Sequence, residues 1–265
     1  MLFRGRYAGS SFSELLEIDY PHVKVDFGEL ARKSAGETPF QAPHGTTVLA
    51  LKLGMGVLVA GDRLATAGNL VASRDVEKVF PADQHALIAI AGAAGPAIEM
   101  ARLLRIELEH YEKIEGESLE LEGKANKLSQ MIRQNLPAAM QGLVVVPVFA
   151  GYDTRRQVGR LWKYDVTGGR YEEAEFESTG SGGMIAKESL KKAWRSGMTR
   201  EDGLRAAIEA LVDAADEDRA TGGVDLARGI YPIVKVCTKD GIEDVPETEI
   251  AECYRAIAAA RGQRS

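Results

Sequence analysis

A threonine that directly follows a glycine and opens a strand-like run is the residue of this chain whose type and position best suit chemistry. It is Thr46, preceded by Gly45. A threonine hydroxyl is a weak nucleophile at neutral pH and reacts only beside a base. Cleavage between Gly45 and Thr46 would free an α-amine with an ordinary pKa of about 7.7 to 8.0, which is a suitable base. Thr46 would then supply both the nucleophile and the base.

Thr47 is an alternative nucleophile next to it. The side chains of neighbouring strand residues point to opposite faces, so only one of the two threonines can face a given cleft. A simpler interpretation is that both are β-forming residues at the start of a strand and do no chemistry. The residues alone leave these three interpretations open.

Two charged residues and a glycine downstream could support such a nucleophile. Asp62 ends the second strand-like run, and Lys78 follows sixteen residues later. A lysine that faces a carboxylate inside a cleft stays protonated and lowers the pKa of a neighbouring amine. Gly92 ends an apolar strand and could present its backbone N–H to an oxyanion. The ordinary alternatives are solvated surface charges for Asp62 and Lys78, and a turn for Gly92.

The charge of the chain makes nucleic acid an unsuitable partner. A net charge of -6 and a pI near 5.4 provide no basic surface for phosphate. No stretch approaches the roughly 20 apolar residues that span a bilayer, and acidic residues interrupt the region where a secretory signal would need its apolar core. Cys237 and Cys253 are too few and too distant for a disulfide scaffold. We therefore expect a cytoplasmic protein that binds neither nucleic acid nor membrane.

The sequence predicts no metal and no cofactor. The histidines are scattered and show neither a zinc-ligand spacing nor a serine–histidine–aspartate arrangement. The acidic run of Asp213, Asp216, Glu217 and Asp218 is interpreted as one solvated helix face, from which only Asp218 turns inward.

The boundary between Gly45 and Thr46 divides the chain into a short leader and one domain. Within residues 1–45, Ser11 and Glu14 have the spacing of a capping box, which predicts a short helix. Residues 36–45 are rich in Gly, Pro and Thr and are typical of a linker that a protease, or a self-cleaving bond, can reach. Residues 46–265 are enough for a single core.

The elements that must position these residues follow from periodicity and turn residues. Predicted strands cover 46–52, 57–62, 70–73, 78–80, 86–91, 143–152, 159–165, 170–178, 230–238 and 242–245. Predicted helices cover about 96–113, 119–140, 184–195, 200–217 and 247–261. This order of elements predicts an α+β fold in which helices cover two stacked sheets.

Six segments together resemble the catalytic β subunits of 20S proteasomes in order and spacing. They are Gly45-Thr46-Thr47-Val48, Gly61-Asp62-Arg63, Lys78-Val79-Phe80, Gly92, Gly180-Ser181-Gly182 and Asp218-Arg219-Ala220-Thr221-Gly222. The resemblance extends from Thr46 to the C-terminus, and the long leader and the Gly-Gly-Val-Asp sequence after Thr221 resemble the actinobacterial branch. It implies the N-terminal-nucleophile (Ntn) hydrolase fold, a four-layer αββα sandwich with two stacked antiparallel sheets flanked by helices.

The resemblance also implies a role for each matching residue. Residues 1–45 would be a propeptide, removed by autocatalytic cleavage at Gly45/Thr46, and Thr46 would be the nucleophile. Asp62 and Lys78 would form the charged pair that tunes its amine, and Gly92 would be the oxyanion donor. The residues that support Thr46 from outside this pair would be Ser181, Asp218 and Thr221. Serine is more usual at the third of these positions, but both residues carry a hydroxyl.

The implied substrate site has two parts. The backbone at Thr66 would bind the peptide substrate as an added strand. The primary specificity pocket would be lined by Ala65, Val76, Phe80, Ile90, Ala94 and Ile98. These six residues are apolar, whereas a pocket for basic side chains needs a carboxylate, so we expect cleavage mainly after hydrophobic residues.

The resemblance implies partners as well. Heptameric β rings would stack between rings of α subunits, and a ring-shaped ATPase on the α ring would supply tagged, unfolded protein. Two alternatives stay open: a structural β subunit without activity, and an Ntn amidohydrolase that acts on small molecules. The joint presence of Thr46, Asp62, Lys78 and Ser181 argues against the structural subunit.

Overall fold

The computed structural model describes residues 7, 9–21, 45–67 and 70–262. Most of the expected propeptide, and the predicted linker over 36–45 apart from Gly45, lie outside these residues. The described helices are α1 (Phe12–Asp19), α2 (Ala94–Glu115), α3 (Leu121–Gln134), α4 (Leu136–Ala139), α5 (Gly183–Ala193), α6 (Arg200–Glu217) and α7 (Glu247–Gly262). The described strands are β1 (Thr47–Leu53), β2 (Gly56–Gly61), β3 (Ala65–Ala67), β4 (Leu70–Ser73), β5 (Val79–Asp83), β6 (Ala86–Gly92), β7 (Val145–Asp153), β8 (Val158–Tyr164), β9 (Arg170–Glu173), β10 (Phe176–Gly180), β11 (Ile233–Thr238) and β12 (Gly241–Asp244).

Ten of these strands form two antiparallel sheets of five. The first sheet has the order β10-β1-β2-β11-β12, and the second has the order β5-β6-β7-β8-β9. Strands β3 and β4 form a separate ribbon. The central position of β1, paired on both sides, fixes the backbone that follows Thr46.

Three apolar clusters hold four layers together. Helices α5 to α7 pack on the first sheet around residues such as Leu51 and Leu211, and α2 and α3 pack on the second sheet around residues such as Leu104 and Phe149. Between the sheets lies a third cluster that includes Val59 and Leu87. The predicted α+β sandwich of stacked sheets flanked by helices is therefore confirmed.

Most predicted elements match the structure, but two do not. The strand predicted over 170–178 is two strands, because a bend at residues 174 and 175 carries the chain from β9 in the second sheet to β10 in the first. The helix predicted over 119–140 ends at Gln134 and is followed by the short α4, whose second residue is Pro137. Proline has no N–H for the helical ladder and crowds the preceding turn, so a continuous helix breaks there.

The described part of the leader forms a helix that packs on the domain. As its spacing predicts, the Ser11 side chain caps α1. The Phe12 N–H donates to Glu107 Oε2 at 2.9 Å, and Lys127 Nζ donates to Ser11 Oγ at 3.1 Å. The Phe12 ring also lies 5.8 Å from the ring of His110. These contacts hold the predicted short helix, α1, against α2 and α3.

Within the part of the chain that is described, no helix has both the length and the apolar composition needed to cross a membrane.

Candidate active site

Thr46 lies directly before β1 and is still joined to Gly45. It is 5% exposed, and its backbone nitrogen is an amide without a basic lone pair. The hydroxyl donates to Gly45 O at 2.6 Å. The Thr46 hydroxyl therefore already lies beside the Gly45 carbonyl, which it would attack in self-cleavage.

Asp62 is the central acceptor of the site. It follows β2 and is fully buried. Its Oδ1 accepts from Lys78 Nζ and from the Thr47 N–H, both at 2.7 Å. Its Oδ2 accepts from the N–H groups of Leu64 at 2.9 Å and Gly222 at 2.8 Å. Four donors from separate segments hold this carboxylate in one orientation.

Lys78 aims its ammonium group at the Gly45 carbonyl. Besides Asp62, its Nζ donates to Leu64 O at 2.6 Å and to Gly45 O at 3.4 Å. Only 4% of Lys78 is exposed, and this burial lowers its pKa, although the Asp62 and Asp218 carboxylates oppose the shift. Lys78 therefore exchanges a proton more readily than a surface lysine does.

A second group of polar side chains approaches Thr46 from β10 and from the end of α6. Asp218 Oδ2 accepts from Ser181 Oγ at 2.5 Å and from Thr221 Oγ1 at 2.6 Å. Burial alone would raise the pKa of Asp218, but these bonds and one from the Ala220 N–H outweigh it and lower the pKa. Ser181 connects this group to the threonine, because its N–H donates to Thr46 O at 2.9 Å.

Two other members of the acidic run, Asp213 and Asp216, point away from the site. Asp213 and Asp216 contact Arg261 on α7, whereas Asp218 directly follows α6 and turns into the site. Within the described residues, no three His, Cys, Asp or Glu side chains converge as a metal site would require.

All six predicted pocket residues line one cavity next to Thr46. Its walls are Gly45, Thr46, Ala65, Val76, Glu77, Lys78, Phe80, Ile90, Gly92, Ala94, Ala97 and Ile98. With Gly45 in its wall the cavity measures about 20 Å³, which is room for about one water molecule.

Sequence reasoning missed two residues of this wall, Ala97 and Glu77. Ala97 lies on the same face of α2 as Ala94, three residues later, and this helical spacing could have identified it. Glu77 is a charged residue in a wall that was expected to be apolar, and only its position between Val76 and Lys78 in the sequence hints at this. The Glu77 side chain is half exposed, and its carboxylate lies 3.7 Å from Lys235 Nζ.

Two glycines are required by close contacts at the site. A Cβ on Gly45 would lie 2.5 Å from Thr66 Oγ1 and 2.7 Å from Ala220 O. Gly92 has a φ of +117°, and a Cβ there would clash with the Val144 carbonyl oxygen. Thr66 belongs to β3, which pairs in the described residues only with β4, so a second edge of this strand has no partner strand.

The four-layer sandwich, with a threonine at the end of a central strand and a buried lysine–carboxylate pair beside it, has the Ntn hydrolase fold. The family model described as "Proteasome subunit" matches residues 42–227. The chain therefore belongs to the proteasome subunit family.

Two curated relatives support this assignment. "Proteasome subunit beta" of Acidimicrobium ferrooxidans is 51% identical over 259 residues, which cover 97% of this chain and 93% of the relative. "Proteasome subunit beta" of Streptomyces griseus is 54% identical over 221 residues, which cover 83% of this chain and 79% of the relative. As a member of this family, the chain is a component of a multi-subunit proteasome core with a role in protein hydrolysis.

Proposed function

We propose that this chain is a threonine endopeptidase, the proteolytic β subunit of a 20S core particle. One observation carries the proposal: the Asp62–Lys78 pair and the Asp218 group both contact the segment formed by Gly45 and Thr46. Removal of residues 1–45 would convert the Thr46 amide into an amine that acts as the base for its own hydroxyl.

The first reaction is cleavage of the chain by itself. Thr46 Oγ1 attacks the Gly45 carbonyl carbon, the bond to the Thr46 nitrogen breaks, and this nitrogen takes up the proton lost by the hydroxyl. Water then hydrolyses the resulting ester and releases Gly45 as a carboxylate. The Lys78 ammonium, 3.4 Å from Gly45 O, stabilises the negative charge that develops on this oxygen.

Substrate cleavage uses the same atoms with a free amine. The amine takes the proton from Thr46 Oγ1 as the oxygen attacks the peptide carbonyl, and it returns the proton to the leaving nitrogen. Water then hydrolyses the acyl-enzyme. The positive charge of Lys78, held by Asp62, lowers the pKa of the amine. Ser181, Asp218 and Thr221 orient Thr46, and the Gly92 N–H binds the oxyanion.

The substrate is a peptide that presents a hydrophobic side chain. The predominantly apolar wall of the cavity supports cleavage mainly after hydrophobic residues. The backbone of Thr66, on the edge of β3 that pairs with no other described strand, would hold the peptide by main-chain hydrogen bonds.

Membership of the family supports a proposal for the assembly, and the cysteines support one for the location. We infer heptameric β rings between α rings, with a ring-shaped ATPase supplying unfolded, tagged protein. A closed particle is physically reasonable, because an exposed protease of this kind would digest its neighbours. The cytoplasm is the proposed location, supported by Cys237 and Cys253, which form no disulfide.

Residues 1–45 are proposed to be the propeptide. The three roles left open are an aid to assembly, an inhibitor of premature activity and a dispensable leader. The contacts of Phe12 and Ser11 with α2 and α3 support a leader that binds its own domain before it is removed. Deletion of residues 1–45, with particle formation followed by gel filtration, separates the first role from the last.

N-terminal sequencing of the assembled particle tests the proposal, with Thr46→Ser and Thr46→Ala as paired variants. We expect a mature chain that begins at Thr46, retained activity with serine, and loss of both maturation and peptidase activity with alanine. A different mature N-terminus contradicts the mechanism. Peptidase activity that survives Thr46→Ala points to another nucleophile or to a structural subunit, and hydrolysis of small amides in preference to apolar peptides points to the amidohydrolase.

A further inference from the structure

The side chain of Thr47 points away from the cavity and into the protein. Thr47 is fully buried and is absent from the cavity wall that contains Thr46. Its Oγ1 accepts from the Gly182 N–H at 3.0 Å and lies 2.6 Å from Thr221 Oγ1. In this geometry Thr47 is not the competing nucleophile, and its hydroxyl has a different set of partners.

The direction of these hydrogen bonds follows from the chemistry of the two ends. The Gly182 N–H can only donate, and the Asp218 carboxylate, whose pKa is lowered, can only accept near neutral pH. Thr221 therefore donates its proton to Asp218 and accepts one from Thr47. The result is a series of hydrogen bonds in which Gly182 donates to Thr47, Thr47 donates to Thr221, and Thr221 donates to Asp218.

The space around this series of hydrogen bonds leaves no room for a side chain at position 182. A Cβ on Gly182 would lie 2.6 Å from both hydroxyl oxygens, Thr47 Oγ1 and Thr221 Oγ1. Any other residue at position 182 would push the two hydroxyls apart or out of the site. The short contact between threonines that are 174 residues apart in sequence therefore depends on the absence of a side chain there.

Thr47 also contacts the other half of the site. Its backbone N–H donates to Asp62 Oδ1 at 2.7 Å, the same oxygen that accepts from Lys78. Its side chain is linked to Asp218 through Thr221, and Thr46 is the residue before it in the sequence. Thr47 therefore connects the Asp62 and Asp218 carboxylates, which lie on the two sides of Thr46.

We propose that Thr47 is a positioning residue. Its hydroxyl fixes the positions of Thr221 and Asp218 relative to the Asp62–Lys78 pair, so that both groups are correctly placed around Thr46. This inference rests on the proposed function of Thr46. Without the Thr47 hydroxyl, the buried Gly182 N–H loses its acceptor, and Thr221 Oγ1 loses the donor that fixes its direction. Asp218 and Ser181 would then hold Thr46 less well in the transition state, whereas the apolar pocket would bind substrate as before.

The test replaces Thr47 in the full chain and measures the assembled particle. Thr47→Val keeps the branched shape and removes the hydroxyl, and Thr47→Ser keeps the hydroxyl. Ser178→Ala is the matched control, because the Ser178 hydroxyl is also buried beside β1 but donates only to Val48 O, at 3.0 Å. kcat and KM are measured with an apolar fluorogenic peptide, and kcat is divided by the number of Thr46 N-termini found by sequencing.

We expect Thr47→Val to lower kcat about tenfold, the effect of about 1.4 kcal/mol in the transition state, with KM within about twofold. Thr47→Ser and Ser178→Ala should stay within about threefold of the unchanged chain. Equal kcat values for Thr47→Val and Ser178→Ala would overturn the proposal, and so would a Thr47→Ser variant as slow as Thr47→Val. If Thr46→Ala is active as well, the proposed function has failed, whereas an inactive Thr46→Ala beside a normal Thr47→Val rejects this inference alone.

A double-mutant cycle keeps the test decisive if Thr47→Val matures poorly. Because Thr47 acts through Thr221, Thr47→Val should add less than about threefold to the loss caused by Thr221→Val. Ser178→Ala combined with Thr221→Val should give the product of the two separate effects. Multiplicative effects of Thr47→Val and Thr221→Val on the self-cleavage rate, measured on the precursor, would overturn the proposal.

Discussion

Replacement of Asp62 by asparagine removes one negative charge from the centre of the site and keeps the shape of the side chain. All the hydrogen-bond partners of this carboxylate are donors, among them Lys78 Nζ and the Thr47 N–H. Asparagine retains one acceptor oxygen and brings an NH₂ group against these donors. Lys78, which is 4% exposed, is then left buried without its charged partner.

The size of the effect follows from this burial. Removal of one partner from a buried ion pair costs about 3 to 5 kcal/mol, and Lys78 is too enclosed for water to replace the lost charge. Asp62 raises the pKa of Lys78 against the effect of burial, so its loss lets the pKa fall further. A neutral Lys78 no longer stabilises negative charge on Gly45 O, and the loss of such a donor slows a reaction about 100- to 1000-fold.

The assay follows conversion of the precursor to the mature chain by gel electrophoresis over time. We expect Asp62→Asn to slow conversion at neutral pH at least about 100-fold. Part of this rate should return as the pH is lowered, because Lys78 then regains its proton. Asp165→Asn is the control, since Asp165 lies in the turn between β8 and β9 and contacts none of these residues. Conversion of Asp62→Asn at the unchanged rate would refute the assignment of Lys78 as the group that stabilises the Gly45 oxygen.

Three further predictions concern the cleavage bond, the pocket and an acidic turn. Gly45→Ala should block self-cleavage, because its Cβ would meet Thr66 Oγ1 at 2.5 Å; normal maturation on a gel would show that the segment has room to move. Ile98→Glu should shift cleavage about tenfold toward basic residues, since Ile98 lies in the pocket wall and is partly exposed; peptide libraries measure this, and an unchanged preference would place the pocket elsewhere. Hydrogen bonds led by that of Thr167 lower the pKa of Asp165 to about 2, from 3.8. Its contribution to stability is therefore present above about pH 4 and lost as the pH falls toward 2, so the melting temperatures of the unchanged chain and Asp165→Asn should converge in acid; a constant difference would contradict this.

The sequence by itself determined the features that depend on neighbouring residues. Alternation of apolar residues and a Gly-Met-Gly turn predict the hairpin of β1 and β2, and strand β4 and helix α6 have the predicted bounds. The Ser11 cap of α1 likewise involves residues three positions apart. These patterns are readable because a turn, a cap or a strand face needs only the local order of side chains.

Only the tertiary structure decided features that depend on distant segments. Alternation cannot tell which sheet a strand joins, so residues 170–178 were predicted as one strand although the two halves pair in different sheets. Glu77 was missed in the pocket wall for the same reason, since the local sequence does not say what folds against the segment between β4 and β5.

The environment of the candidate nucleophile shows this division best. The local order of residues makes the bond between Gly45 and Thr46 a candidate cleavage site and Thr46 a candidate nucleophile. It leaves the role of Thr47 open, because its partner Thr221 is 174 residues away. Folding brings the two hydroxyls to 2.6 Å beside Gly182, in a buried environment that strengthens the hydrogen bond between them.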